Sequence, residues 1–193
     1  MISESWPWKQ ELKRLLRTIR GEAPRLKFDD ESDQYDARLF ELERAIFYAA
    51  FVVRKLIENG KITDRVARHF VEVTAFKAND EYEFSMIGSL TATFDLDEYV
   101  LDRPHKLRLL ITDLASEVIH SHRLVCSFGE SGCAEGIYLS SYRNDQERII
   151  LVPLDLIVDV IDRVANDDVV SLRVEVEPHP TRPRRPIVKR TIE

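Results

Sequence analysis

Cysteine and glycine are both scarce in this chain. Two Cys in 193 residues are too few for a disulfide scaffold. Six Gly leave little room for backbone cradles around phosphate, and neither a Walker A loop nor a Gly-x-Gly-x-x-Gly loop occurs. Also missing is any apolar run of roughly 18 residues, so no membrane span is expected. The opening MISESWPWKQELKRLL lacks the basic-then-apolar layout of a secretory leader. What is present suits a folded core: 44% hydrophobic and 32% charged residues are ordinary for a globular protein. The expectation is a soluble, cytoplasmic protein.

Positive charge is scarce overall but unevenly placed. With 28 Lys and Arg against 34 Asp and Glu, the net charge is −6, which argues against a chain that coats nucleic acid over its whole surface. Residues 1–177 hold 23 cations and 33 acids, a balance of −10. Residues 178–193 hold four Pro and five cations, Arg182, Arg184, Arg185, Lys189 and Arg190, against Glu193 alone. Proline at that density forbids helix and removes ladder donors, so a flexible, extended arm is expected over 178–193. It is a candidate binding element for a protein or nucleic-acid partner; the plainer reading is a solvated terminus. Near the start, Lys9, Lys13, Arg14, Arg17 and Arg20 give the first helix a basic face. The acidic run Asp29–Asp33 fails as a calcium loop, since its sixth position is Gln34 rather than Gly and its twelfth is Phe40 rather than Glu.

Hydrophobic spacing predicts the elements. Trp8, Leu12, Leu15, Leu16 and Ile19 form one stripe of a helix over 5–20, stopped by Gly21 and Pro24. Leu39, Leu42, Ile46, Ala49, Val53 and Leu56 give an a/d repeat over 35–58, with a second row, Phe40, Phe47 and Phe51, beside it. So wide an apolar arc marks a helix that is central in the domain or shared with another subunit. The two helices make an N-terminal hairpin, residues 1–60, and the extra row offers a homo-oligomer contact. After a helical turn at Thr63-Asp64, alternation from His69 predicts a strand, and 84–94 a second. Residues 105–121 read as a third helix with Leu107, Leu110, Ile111, Leu114, Val118 and Ile119 inward. Strands follow at 123–129, 136–143 and 147–153, then a helix at 154–166 and a strand at 170–176. The order ααββαβββαβ lacks the alternation of a doubly wound sheet. The expected class is α+β: a helical hairpin, then a mixed or mainly antiparallel sheet of five to six strands over 61–177, with two further helices on one face and the hairpin continuous with it.

One constellation carries candidate chemistry. Asp113, Glu117 and His120 fall at i, i+4 and i+7 of the third helix, with Ser116 beside them and His122 and Cys126 just beyond. A carboxylate and an imidazole one turn apart suit acid–base work or metal binding. No second Glu-x-x-His copy exists for a di-iron bundle, and His120-x-His122-x3-Cys126-x6-Cys133 lacks a zinc knuckle. Neither metal nor cofactor is expected. A solvated helix face with histidines favoured by the helix C-terminus accounts for the same residues. The glycine-containing loop GESGCAEG carries Cys133, a thiol whose reactivity would need a depressed pKa. Tyr138 and Tyr142 share a strand face without the run that marks an RNA-binding sheet. The leading expectation is a binding or regulatory protein, a subunit of an oligomer or larger assembly. The alternatives are a small hydrolase or nuclease using Asp113, Glu117, His120 and His122, and nucleic-acid binding through Arg182, Arg184, Arg185, Lys189 and Arg190.

Overall fold

A computed structural model describes residues 4–28, 34–79, 96–141, 143–144, 146–177 and 187–193. The elements are α1 (Trp6–Glu22), α2 (Gln34–Glu58), a one-turn α3 (Asp64–Ala67), β1 (Phe70–Lys77), β2 (His105–Leu110), α4 (Ile111–Ile119), β3 (Ser121–Phe128), β4 (Ala134–Ser141), β5 (Arg148–Pro153), α5 (Leu154–Ala165), β6 (Leu172–Glu177) and β7 (Ile187–Ile192). Five strands form one sheet in the order β2-β1-β5-β4-β3, and β6 pairs with β7 in a separate ribbon. Among the described residues every ladder is antiparallel. The α+β class, the helical hairpin and the helices packed on one sheet face are all present. The expected strand over 84–94 lies outside the described residues, as does the acidic run 29–33.

Strand alternation sorts the side chains onto two faces. Val71, Val73 and Ala75 of β1, Ile137 and Leu139 of β4, and Ile150 and Val152 of β5 turn toward the helices. There they join Leu12, Leu15 and Ile19 of α1, Leu42, Ile46 and Val53 of α2, Leu114 and Val118 of α4, and Ile157, Ile161 and Val164 of α5 in one continuous core. The intervening residues face the other way. Phe76, Ile149, Tyr138 and Leu151 meet Tyr99 and Leu101 in a second, smaller cluster. Burial of a Leu or Ile side chain contributes about 1.5–3 kcal/mol, so the helix-side core dominates.

Residues 105–121 are not one helix. His105–Leu110 is a strand paired with β1 from Phe70 opposite Leu110 to Ala75 opposite His105, and α4 begins only at Ile111. Leu107, Leu110, Ile111 and Leu114 fit a helical stripe, but Leu107 and Leu109 fit a strand face equally well. The open edge of β1 decides, because its unpaired backbone groups need a ladder partner. Lys106 pairs with Glu72 at 3.3 Å, and the Arg108 guanidinium lies 4.8 Å from the Phe70 ring centre. Both are cross-strand neighbours that a helix would separate.

Lys9 leaves the basic face assigned to α1. Its side chain is 7% exposed, and its ammonium donates to the Asp167 backbone carbonyl and lies 3.4 Å from the Asp168 carboxylate. The Asp167 carboxylate is also buried. It accepts from the Thr63 backbone N–H at 2.6 Å and from the Thr63 hydroxyl at 2.8 Å. Thr63 caps α3 in turn, accepting from the Val66 N–H at 3.4 Å. This knot ties α1, the residues after α2 and the end of α5 together.

Six residues of the expected arm, Ile187–Ile192, are strand. In β7, Lys189 stands opposite Glu175 and Arg190 opposite Val174. Ile192 is 8% exposed, and its backbone N–H donates to Asp64 at 3.4 Å. Gly60 adopts φ +65°, a left-handed conformation that closes α2. A Cβ there would meet the Ile192 Cδ1 at 3.1 Å, so the glycine serves the turn and the close approach together.

Candidate functional site

The α4 helix has an amphipathic face by its spacing: Ile111, Leu114, Ala115 and Val118 are buried, which turns Asp113, Ser116 and Glu117 outward. His120 follows as the helix C-cap residue. The connection between β4 and β5 rises beside this surface. Its turn is held by the Asn144 carbonyl, which accepts from the N–H groups of Glu147 and Arg148 at 2.9 Å each. Between helix and turn lies an open polar cleft of about 790 Å³, lined by Asp113, Ser116, Glu117 and His120 from one side and by Arg143, Asn144, Glu147 and Arg148 from the other.

Three of the four predicted residues therefore share a cleft. His122 does not; it is half-buried on β3 and outside the lining. Within the cleft the residues face different partners. The Glu117 side chain, 13% exposed, lies 3.5 Å from the Arg148 guanidinium and accepts from the Asn144 amide. His120 Nε2 lies 3.1 Å from an Arg54 guanidinium nitrogen on α2. Arginine only donates, so a hydrogen bond here has Nε2 as its acceptor. Arg54 is further held by Glu58 at 2.7 Å. The Ser116 hydroxyl donates to the Thr112 carbonyl at 2.8 Å within its own helix.

Chemically, this is a mixed-charge groove. Arg143 and Arg148 offer donors to an anionic or carboxylate-bearing ligand, while Asp113, Glu117 and Glu147 offer acceptors. Glu117 and His120 each turn to an arginine. Among the described residues, no group of three or more His, Cys, Asp or Glu comes together in a way that would hold a metal ion.

The sulfur groups are separate from the cleft. Cys126 is buried on the helix side of β3, and burial, reinforced by the nearby Glu43 charge, pushes its thiol up to about 12. Burial raises the Glu43 carboxyl as well. Cys133 sits in the β3–β4 loop, half-buried, with its thiol 3.3 Å from the Pro24 carbonyl. That loop is pinned rather than free: Phe28 donates to the Gly132 carbonyl at 3.1 Å and Ala134 to the Leu26 carbonyl at 3.0 Å. Gly132 supplies the left-handed φ of +74° that the turn requires. Tyr138 packs on Phe76, ring centres 6.0 Å apart, in the second cluster; Tyr142 lies outside the described residues.

Of the tail residues offered as a binding element, Arg182, Arg184 and Arg185 lie outside the described residues, and Lys189 and Arg190 belong to β7. Sequence reasoning did not find Arg54, Asn144 or Arg148, the residues that meet His120 and Glu117. They arrive from α2 and from the β4–β5 turn, and no local spacing signals that approach. No family model, curated protein or solved structure matches the chain. Among the described residues no helix is long and apolar enough to cross a membrane.

Proposed function

We propose that this chain is a binding protein, a subunit that assembles with another folded protein through a surface of α2. One observation carries the reading. The side of α2 turned away from the core keeps large aromatics in water: Phe40 is 60% exposed, Phe51 41% and Tyr48 37%. Phe47 packs on the core, but Phe40, Tyr48 and Phe51 do not belong to it, so the helix's own packing does not account for these three. Aromatic residues of this kind are enriched at the centres of protein interfaces. Hydrolysis through Asp113, Glu117 and His120 draws less support, because Glu117 and His120 each already hold an arginine.

The test is the size of the tagged full-length chain in a native lysate of cells that make it. The chain is expected to elute ahead of a 22.5 kDa monomer, and Phe51→Glu, on an exposed position, to return it to monomer size. Elution of the unaltered chain as a monomer would refute the reading.

A further inference from the structure

The cleft between α4 and the β4–β5 turn satisfies some of its polar groups and leaves others open. Glu117 accepts from Asn144 and lies 3.5 Å from Arg148. His120 meets Arg54, and Ser116 bonds within its own helix. Asp113 and Arg143 are exposed, and their side chains form no ion pair or hydrogen bond among the described residues. Glu147 keeps only a 3.8 Å contact with Arg148 and stays 72% exposed. Ser141 is 5% exposed, yet it lines the cleft, and its hydroxyl meets no partner among the described residues. A hydroxyl so far withdrawn from water costs free energy while it lacks a partner.

The open groups have a definite sign and layout. The lining holds two guanidiniums, Arg143 and Arg148, against three carboxylates, Asp113, Glu117 and Glu147; two minus three leaves −1. Arg148 is engaged by Glu117, so the groups left over are one cation and two anions. Arg143 and Glu147 belong to the same turn. Asp113 lies four residues before Glu117, roughly 6 Å further along the helix from the point where the turn touches it. Leu109 adds an apolar side chain to the wall.

We propose that this cleft binds a free basic α-amino acid, lysine or arginine. The ligand carboxylate pairs with Arg143 and its α-ammonium with Glu147. The aliphatic stem runs along the wall beside Leu109, and the side-chain cation reaches Asp113. The Ser141 hydroxyl, donor and acceptor both, hydrogen-bonds the ligand from the buried wall. A ligand of net charge +1 complements the lining. Other small ligands match less well: an inorganic anion faces three carboxylates, a diamine leaves Arg143 unmet, and a neutral amino acid leaves Asp113 unmet. The site is apart from the outer face of α2, and the inference does not rest on the binding reading above.

The experiment is calorimetric titration of the purified full-length chain with L-lysine and L-arginine. The comparison ligands are norleucine, which lacks the side-chain cation; cadaverine and agmatine, which lack the carboxylate; and Nα-acetyl-lysine, which stands for a lysine at the end of a chain. Lysine or arginine is expected to bind, and each comparison ligand to bind about tenfold or more weakly, the loss of one charge-assisted hydrogen bond. Asp113→Asn is expected to remove the advantage over norleucine, and Arg143→Gln the advantage over the decarboxylated amines. Both positions are exposed, and circular dichroism checks that the fold is unchanged. Absence of binding by both amino acids in the millimolar range overturns the inference. So does equal binding of norleucine or of Nα-acetyl-lysine, or binding that neither substitution alters.

Discussion

Two polar clusters in this protein use the same chemistry to different ends. In the Asp167 knot, a carboxylate, a threonine and a lysine are nearly withdrawn from water: Asp167 is 6% exposed, Lys9 6% and Thr63 8%. In the Glu117 cleft, a carboxylate, an asparagine and an arginine meet part-buried in the wall of an open groove of about 790 Å³. The partners are similar, but the surroundings are not. Where water is excluded, every donor and acceptor must be met within the protein, and the loss of one leaves the others stranded. Where water enters, it takes the place of a lost partner, and the same contact contributes little. The knot is thus a structural tie, and the cleft retains groups that a ligand can reach.

Breaking each cluster in turn separates the two. The largest effect is expected at Asp167. Asp167→Ala strands the Thr63 N–H and hydroxyl and weakens the cap of α3, a loss of about 3 kcal/mol from two hydrogen bonds to a buried charge. Urea unfolding is expected to show the midpoint falling with the slope unchanged; a midpoint within the range of surface substitutions would show that the knot is not a tie. Glu117→Ala is expected to cost about 1 kcal/mol by the same measurement, since water replaces the lost carboxylate and Arg148 stays hydrated. A loss equal to that at Asp167 would erase the distinction.

The smallest effect concerns rates rather than stability, and it carries the contrast to the two thiols. Thiolate is the reactive form. With its folded pKa raised to about 12, Cys126 stays protonated at pH 8 and is also shielded, so alkylation in native conditions is expected to stop at one modified cysteine per chain, Cys133. Mass spectrometry after a timed quench reads this directly, and modification of Cys126 at the rate seen in denaturant would contradict its burial.

Much of the fold was legible because its signals are local. The stripes of α1, α2 and α5 and the alternation of β1 each follow from residues within one element. The split at Leu110 was not, because Leu107, Leu109, Leu110 and Ile111 satisfy both periods. The edge of β1 resolves the ambiguity, and that strand lies some distance back in the chain. Lys9 was misplaced for a similar reason: its spacing on α1 says nothing of Asp167, which comes to it from the far end of α5.

The candidate site divides along the same line. That Asp113, Glu117 and His120 share a side follows from helical phase alone. That Glu117 meets Arg148 and His120 meets Arg54 depends on tertiary approach. His122 was grouped with them by nearness in sequence, but a strand begins at Ser121 and carries it out of the cleft.

The sheet order also has a consequence for how the chain closes on itself. β5 is bordered on one side by β4, a few residues earlier, and on the other by β1, with Thr74 opposite Leu151 and Lys77 opposite Arg148. The first border seals a turn. The second encloses β2, α4, β3, β4 and everything else between Lys77 and Arg148, and its loop-closure entropy is correspondingly larger. The middle of the sheet is therefore the seam with the greatest entropic debt, although it is among the most deeply buried parts of the finished protein.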